Sequence, residues 1–188
     1  MPTSPSRTLP PPVAAASGWQ PLDPFRLEGG RGSFVSGDPQ GDTLRVAYFR
    51  RVADGRLVGR AWFGPGSAGP PGHAHGGSMA AVLDEAMGAA AWMAGHIAVA
   101  AHLATDFRAM LPLGTDALLE AWVERRDERK VWTAGTLRGD DGTLFAEGEA
   151  LFIRLDAERD RALLARAAEA MGRKLEDVLA AVRASAGR

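Results

Sequence analysis

Hydrophobic and polar residues alternate along several segments of the chain, which is the pattern of half-buried β-strands. Two such segments, 44–49 and 57–63, lie on either side of Asp54-Gly55, a pair typical of tight hairpin turns. Four more strand-like segments follow later in the chain, at 97–109, 117–126, 130–138 and 143–155. The pattern therefore predicts an early hairpin and then four consecutive antiparallel strands.

One segment between the hairpin and the later strands, from Ser78 to about Ala94, is hydrophobic at almost every position. It predicts a helix that is buried on nearly all sides and that ends at Gly95. The 20 residues from Ala86 to Thr105 carry no charge, which is the length of a membrane-spanning helix. They are mostly small residues and Met, so we expect a buried helix followed by a strand and no membrane span.

The order of these elements predicts an α+β domain in which a curved antiparallel sheet wraps one long central helix. Residues 157–186 are rich in Ala, Leu, Arg and Glu and predict one or two amphipathic helices as an accessory extension. Their apolar positions at the helical period are Leu163, Leu164, Ala167, Ala168 and Met171.

The N-terminal segment differs in composition from the rest, because seven of the 12 prolines lie within the first 24 residues. It has no apolar core of a signal peptide, so we expect a disordered leader. The predicted organisation is a leader at 1–24, the main domain at 25–155 and a helical extension at 156–188.

Composition excludes several classes of protein. With 22 basic and 23 acidic residues the net charge is −1, so no global field attracts nucleic acid or an anionic membrane. The chain has no Cys, which excludes disulfides, thiolate metal sites and a cysteine nucleophile. Such a chain suits a reducing compartment, and we expect a cytoplasmic location.

The segment that leads into the long helix carries the candidate chemistry. Gly76 and Gly77 directly precede the predicted helix, where unpaired backbone N–H groups form a site for an anion or oxyanion. A simple glycine-rich turn is the alternative. Asp84 follows in the second helical turn among small apolar residues, where an unpaired buried carboxylate is costly. The alternative is that Asp84 points to solvent together with Glu85.

Two histidines lie just before these glycines. His75 is nine residues before Asp84. One interpretation is that it acts as an acid or hydrogen-bond donor near a substrate carbonyl. The alternative is that it only holds the loop in place. His73-x-His75 is similar to a pair of metal ligands, but no second pair has the spacing of a metal site. We therefore expect neither a metal nor another cofactor.

Taken together, His75-Gly76-Gly77 and Leu83-Asp84-Glu85 resemble the signature of hotdog-fold acyl-CoA thioesterases, of the phenylacetate-pathway type and its mammalian mitochondrial relatives. The likeness extends over roughly residues 60–155. It includes the segments Gly69-Pro70-Pro71-Gly72, Met93-Ala94-Gly95, Asp106-Phe107, Leu111-Pro112-Leu113 and Leu151-Phe152-Ile153-Arg154-Leu155.

The resemblance implies hydrolysis of acyl-CoA, within fatty acid metabolism, by a homodimer or homotetramer whose sites form between subunits. Asp84 would activate water or attack the thioester, and the backbone N–H of Gly76 would polarise its carbonyl. His75 would lie beside that carbonyl, and Gly77 would let the acyl chain pass close to the backbone. Arg129 and Lys130, at a predicted hairpin turn, match a basic pair near coenzyme A phosphates, although a solvated turn is the alternative.

The chain departs from this family at two places. Relatives carry Thr or Ser on the strand after the helix, where this chain has Ala100 and Ala101. The Arg-Pro pair that is common after the aromatic residue is replaced by Ala109-Met110.

Two other functions share the expected fold. Hotdog enoyl-CoA hydratases require a His five residues after the Asp, where this chain has Ala89. A non-catalytic sensor or scaffold that binds acyl-CoA agrees with the missing hydroxyl but has no need for Asp84.

Overall fold

The structure is a computed structural model that describes residues 16–22, 33–170 and 172–186. Seven strands form one antiparallel sheet, in the order β1-β2-β3-β5-β6-β7-β4. The strands are β1 (Trp19–Leu22), β2 (Leu44–Arg51), β3 (Leu57–Phe63), β4 (Ala98–Phe107), β5 (Asp116–Arg126), β6 (Lys130–Arg138) and β7 (Leu144–Arg154). The helices are α1 (Gly76–Met93), α2 (Arg161–Ala170) and α3 (Leu175–Ala186), and a 3₁₀ turn spans Pro65–Ser67.

The predicted α+β arrangement of one long helix against an antiparallel sheet is confirmed. α1 packs against the middle of the sheet, where its fully buried residues include Leu83 and Met87. A Cβ at Gly135 of β6 would lie 3.3 Å from each of these side chains, and a Cβ at Gly148 of β7 would lie 3.3 Å from Met87. The two strand glycines therefore let the helix approach the sheet closely.

β4 lies at one edge of the sheet although it follows α1 directly in the chain. Its register with β7 pairs Ala98 with Arg154 and Phe107 with Ala146, with an irregularity between Ala100 and His102. Most of β4 is exposed, so the absence of charge from Ala98 to Thr105 does not reflect a buried strand. Among the described residues, no helix combines the length and hydropathy needed to cross a membrane.

The expected leader needs correction at one element. Trp19–Leu22, inside the segment assigned to the leader, form β1 and pair with β2. The ring of Trp19 lies 5.5 Å from the ring of Phe49, and this contact gives the short strand a reason to dock despite the flanking prolines. The remainder of the 1–24 segment lies outside the described residues, except for 16–18.

The C-terminal extension forms two helices, α2 and α3, with a small core of their own. Leu164 and Leu179 are fully buried there and pack, with their neighbours, against Ile97 and Leu155 of the main domain. Leu163, expected on the apolar stripe, is 49% exposed, so the buried stripe is narrower than predicted. Met171, also expected there, lies outside the described residues.

Candidate active site

His75 is the N-cap of α1. Its Nδ1 accepts a hydrogen bond from the backbone N–H of Gly77 at 2.9 Å, and Ser78 Oγ donates to its carbonyl oxygen at 2.6 Å. Because Nδ1 is an acceptor, the neutral ring carries its hydrogen on Nε2. The side chain is exposed, which leaves this N–H available as a donor. His75 thus holds the loop with one nitrogen and retains a donor on the other.

The two glycines after His75 are constrained by different neighbours. The N–H of Gly76 has no acceptor among the described residues, as expected for the first residue of a helix. A Cβ at Gly76 would lie 3.1 Å from the ring of Phe107, and a Cβ at Gly77 would lie 2.9 Å from His75 Nδ1. A side chain at Gly76 would displace the exposed Phe107 ring, and one at Gly77 would displace the capping His75 ring. Sequence reasoning anticipated neither contact.

Asp84 and Glu85 have different surroundings, although both are half-buried. Glu85 Oε1 accepts a hydrogen bond from the Tyr48 hydroxyl at 2.9 Å. Asp84 Oδ1 is inaccessible to solvent and has no hydrogen-bond partner among the described residues. Burial raises the pKa of the Asp84 carboxyl above its ordinary value. The two carboxylates therefore do not share a solvent-facing surface.

The direction in which Asp84 faces follows from its helical neighbours. Residues four apart share one face of a helix, so Asp84 lies between Gly76 and Gly88 on one stripe of α1. Gly76 lies against Phe107 of β4, and Gly88 lies against Phe152 of β7, which pairs with β4. Asp84 consequently faces the β4 edge of the sheet.

One subunit does not bring Asp84 and the Gly76 N–H together. Eight residues separate them along α1, which corresponds to about 12 Å of helix. A base acts within hydrogen-bond reach, about 3 Å, of the proton it removes. The two groups cannot act on one thioester unless a second copy supplies one of them.

Arg129 and Lys130 lie at the turn between β5 and β6. The backbone N–H groups of both residues donate to Asp127 Oδ1, at 2.9 and 2.7 Å, which fixes the turn. Their side chains are exposed and form no ion pair within the described residues. Lys130 Nζ lies 6.0 Å from the centre of the Trp132 ring. Both side chains are accessible to an anion from solvent.

This basic turn lies near the C-terminal half of α1. Val131 pairs with Phe152, which lies against Gly88. Gly88 is 12 residues, or about 18 Å of helix, beyond Gly76. Arg129 and Lys130 are thus distant from the helix N-terminus of their own subunit.

The histidines are not arranged as metal ligands. No group of three or more His, Asp or Glu side chains is placed to hold a metal ion in residues 16–22, 33–170 and 172–186. Nδ1 of His73 lies 2.8 Å from the carbonyl oxygen of Pro71, and Nδ1 of His75 caps α1. Both histidines thus have local structural contacts.

Comparisons with known proteins agree with this architecture. The family model described as Thioesterase superfamily matches residues 71–146. Acyl-coenzyme A thioesterase THEM4 of Xenopus laevis is 36% identical over 120 residues, covering 63% of this chain and 54% of that protein. The chain thus spans about half the length of this relative.

Solved structures show the same fold. A crystal structure of a thioesterase superfamily protein is 28% identical, with a TM-score of 0.58, and the match covers 76% of this chain and 68% of that one. The PaaI protein of the E. coli phenylacetic acid degradation operon is 17% identical, with a TM-score of 0.53, over 60% of this chain and 79% of that one. Residues 71–146 of this chain thus match the thioesterase superfamily, and its sheet and long helix form the hotdog fold.

Proposed function

We propose that this protein hydrolyses acyl-CoA thioesters to a free acid and coenzyme A. The observation that carries the proposal is Asp84, whose buried Oδ1 has no hydrogen-bond partner in the described part of the chain and whose helix stripe faces an exposed sheet edge. Such a carboxylate is costly to the fold unless it meets water or substrate. The acyl-CoA class is supported by the name of the Xenopus laevis relative.

In the proposed reaction Asp84 takes a proton from water as the water oxygen bonds to the thioester carbon. The electron pair of the carbonyl moves onto its oxygen, where the N–H of the partner subunit's Gly76 stabilises it. The C–S bond then breaks and the thiolate of coenzyme A receives the proton. A positioned base contributes roughly 10²–10⁴-fold to the rate, and one oxyanion donor roughly 10²–10³-fold. Direct attack by Asp84 is the alternative for the first step.

The residues around Gly76 support the same chemistry. The Nε2–H of His75 provides a second donor beside the carbonyl, because Nδ1 is occupied by the Gly77 N–H. Gly77 presents no side chain toward the acyl chain. At the other end of α1, Arg129 and Lys130 bind the phosphates of coenzyme A, for which their exposed charges are suited.

We also propose that two copies pair through β4, as a homodimer or a dimer of dimers. In the described part of the chain, the outer side of β4 pairs with no other strand, and three of its hydrophobic side chains are partly exposed: Val99 at 43%, Leu103 at 36% and Phe107 at 53%. Such edges favour pairing with another strand. A dimer would also supply the second half of each site.

A cytoplasmic location and a role in fatty acid metabolism complete the proposal. The cysteine-free composition supports a reducing compartment. Fractionation of cells that express the full chain, with markers for each compartment, tests the location.

Asp84→Asn tests the mechanism, since the amide keeps the shape but lacks a basic oxygen. With a panel of acyl-CoA substrates and a thiol reagent, we expect kcat/KM to fall by at least about 10²-fold. Glu85→Gln is the matched control, because it neutralises the adjacent carboxylate and keeps an acceptor for Tyr48. We expect this variant to stay near the parental rate.

The same assay decides between enzyme and sensor. Binding of acyl-CoA without hydrolysis by the parent protein would favour the non-catalytic sensor. Near-parental kcat/KM in Asp84→Asn would remove the proposed mechanism. Neither outcome would revive the hydratase, because Ala89 offers no acid or base.

A further inference from the structure

A groove lies between the C-terminal half of α1, the strand β5 and the turn that joins β2 to β3. Its volume is about 390 Å³, which is within the range of sites for small molecules. Its walls include Met93 and Ala94 of α1, Val123 of β5, and Arg50 and Arg56 on either side of the turn. None of these residues belongs to the proposed active site.

This groove is on the opposite flank of α1 from Asp84. Successive residues of a helix are about 100° apart, so Met93, nine positions after Asp84, points in roughly the opposite direction. The same nine residues correspond to about 14 Å along the helix axis. Because Asp84 faces the β4 edge, Met93 faces the side of the sheet that holds β2 and β3. The groove is therefore separate from the carboxylate of the proposed active site.

The inner wall of the groove is apolar. Met93 and Val123 are partly buried hydrophobic residues that pack against the main core. The backbone carbonyl oxygens of Ala90, Ala91 and Trp92 accept hydrogen bonds from the turn that follows α1. The helix end thus presents mainly hydrocarbon to the groove, which suits an apolar ligand group.

The carboxylates beside the groove are already paired. Asp54 Oδ2 lies 2.6 Å from a guanidinium nitrogen of Arg51. Glu120 Oε1 lies 2.7 Å from Arg51 and 2.8 Å from Arg56. These two carboxylates balance two of the three arginines around the turn, and the charge of Arg50 is left in excess.

Arg50 lies at the rim of the groove and is exposed. It pairs with Leu57, a fully buried core residue of β3, so its side chain is on the α1 side of the sheet. A Cβ at Gly55 would lie 3.4 Å from Arg50 Nη2, which places the guanidinium over the turn. Within the described ranges, its guanidinium forms no ion pair.

We propose that this groove binds a carboxylic acid with a short or medium apolar chain. The carboxylate meets the guanidinium of Arg50, whose planar fork matches two carboxylate oxygens. The chain lies along Met93 and Val123, where it removes apolar surface from water. Free carboxylic acids are also the product class of the proposed reaction, but binding in this groove requires no hydrolysis.

The test titrates octanoate into the full chain labelled with ¹³C at the methionine methyl groups. We expect the methyl signal of Met93, assigned with Met93→Leu, to shift with saturation. Met110, which is 64% exposed and three residues beyond Phe107 of β4, reports binding at the proposed active site instead. The two methyl groups therefore distinguish the groove from the active site in one spectrum.

Arg50→Gln tests the charge at the rim. We expect it to raise the Kd for octanoate roughly tenfold, the effect of one lost hydrogen bond to a charged group. Octanamide, with the same chain and no charge, is expected to bind the parent about as weakly as octanoate binds Arg50→Gln. Arg166→Gln is the matched control, because it removes an exposed arginine on α2, and its Kd is expected to equal the parental value.

Ala94→Phe tests the groove itself, since it places a large side chain into the groove from an exposed position. We expect this variant to lose the shift of Met93 on addition of octanoate. Should it fail to fold, the comparison of octanoate with octanamide in Arg50→Gln still tests the site.

Three results would overturn the proposal. The first is a Met93 signal that does not respond to millimolar octanoate. The second is a response of Met110 without one of Met93, which would place the acid at the proposed active site. The third is a parental Kd in Arg50→Gln. Because no acyl-CoA is present, these results do not depend on whether the protein hydrolyses thioesters.

Discussion

Individual residues at this site serve the fold and the proposed chemistry with different atoms. His75 caps α1 through Nδ1 and leaves Nε2–H outside, so its two candidate roles do not compete. Asp84 differs, because its buried Oδ1 has no hydrogen-bond partner within residues 16–22, 33–170 and 172–186. An isolated buried carboxylate lowers stability, and functional sites are where such costs are usually found.

The pH dependence of stability tests the burial of Asp84. Because burial raises the pKa of its carboxyl, the folded state binds the proton more tightly than the unfolded state. The associated stability is present below the ordinary Asp value, about 3.9, and is lost as the pH rises through the folded-state pKa. We expect the Tm of Asp84→Asn, relative to the parent, to increase from pH 4 to pH 7 in thermal melts.

A Tm difference that is constant across this pH range would show that Asp84 is as well solvated in the folded state as in the unfolded chain. Glu85→Gln provides a comparison. Burial also raises the pKa of Glu85, but its hydrogen bond with Tyr48 opposes that shift.

At the scale of elements, the groups of the proposed site are distributed along α1 and the strands beside it. The N–H of Gly76, the carboxylate of Asp84 and the basic turn between β5 and β6 follow one another along the helix. An acyl-CoA molecule is itself long, with the phosphates separated from the thioester by the pantetheine arm. Because the proposed site takes Gly76 from the second copy, the position of the basic turn relative to the thioester depends on how the two copies pair.

The turn between β5 and β6 is tested by replacing Arg129 and Lys130 together with Ala. Phosphate contacts bind ground and transition states alike, so we expect KM for acyl-CoA to rise much more than kcat falls. The control is the double variant Arg166→Ala with Arg173→Ala, which removes the same amount of charge from exposed positions on the C-terminal extension. An unchanged KM in the Arg129/Lys130 variant would assign the pair to a solvated turn.

The whole molecule, as one copy, is incomplete for the proposed reaction. Its sheet ends in the exposed strand β4, and about 12 Å of helix separates Asp84 from the N–H of Gly76. Closed two-fold assemblies are the commonest homo-oligomers, and pairing of two copies through β4 would form one. The α2–α3 extension packs on a separate core and contributes none of the proposed site residues.

Light scattering at micromolar concentration tests the assembly, and we expect at least a dimer. Leu103→Lys places a charge on the β4 edge and is expected to produce a monomer that does not hydrolyse acyl-CoA. Leu163→Lys is the control, because this leucine is also exposed, at 49%, but lies on α2. A parental monomer that turns over substrate would contradict the two-subunit site.

Removal of the chain after residue 157 tests the accessory role of α2 and α3. The deletion uncovers Ile97 and Leu155, so we expect lower solubility and a lower Tm. Some hydrolysis is expected to remain, since the site residues precede the deletion. Complete loss of hydrolysis in a truncated protein that circular dichroism shows to be folded would give these helices a role in catalysis.

The sequence by itself determined the type and order of the main elements. Local periodicity and turn chemistry predict β6 over 130–138 as observed, and they place β5 and β7 within one residue of their observed bounds at each end. The motif around His75, Gly76 and Asp84 also led to the family, because it is contiguous in the chain. These features depend on neighbours within one helix or hairpin.

Only the tertiary structure decided which buried polar groups have hydrogen-bond partners and which do not. Burial of Asp84 Oδ1 and the contact of Gly76 with Phe107 depend on pairing between β4 and β7, far apart in sequence. The strand at Trp19–Leu22 likewise depends on β2, which a proline-rich composition does not reveal. Hydrogen bonding and burial are properties of long-range packing, so local pattern alone could not predict them.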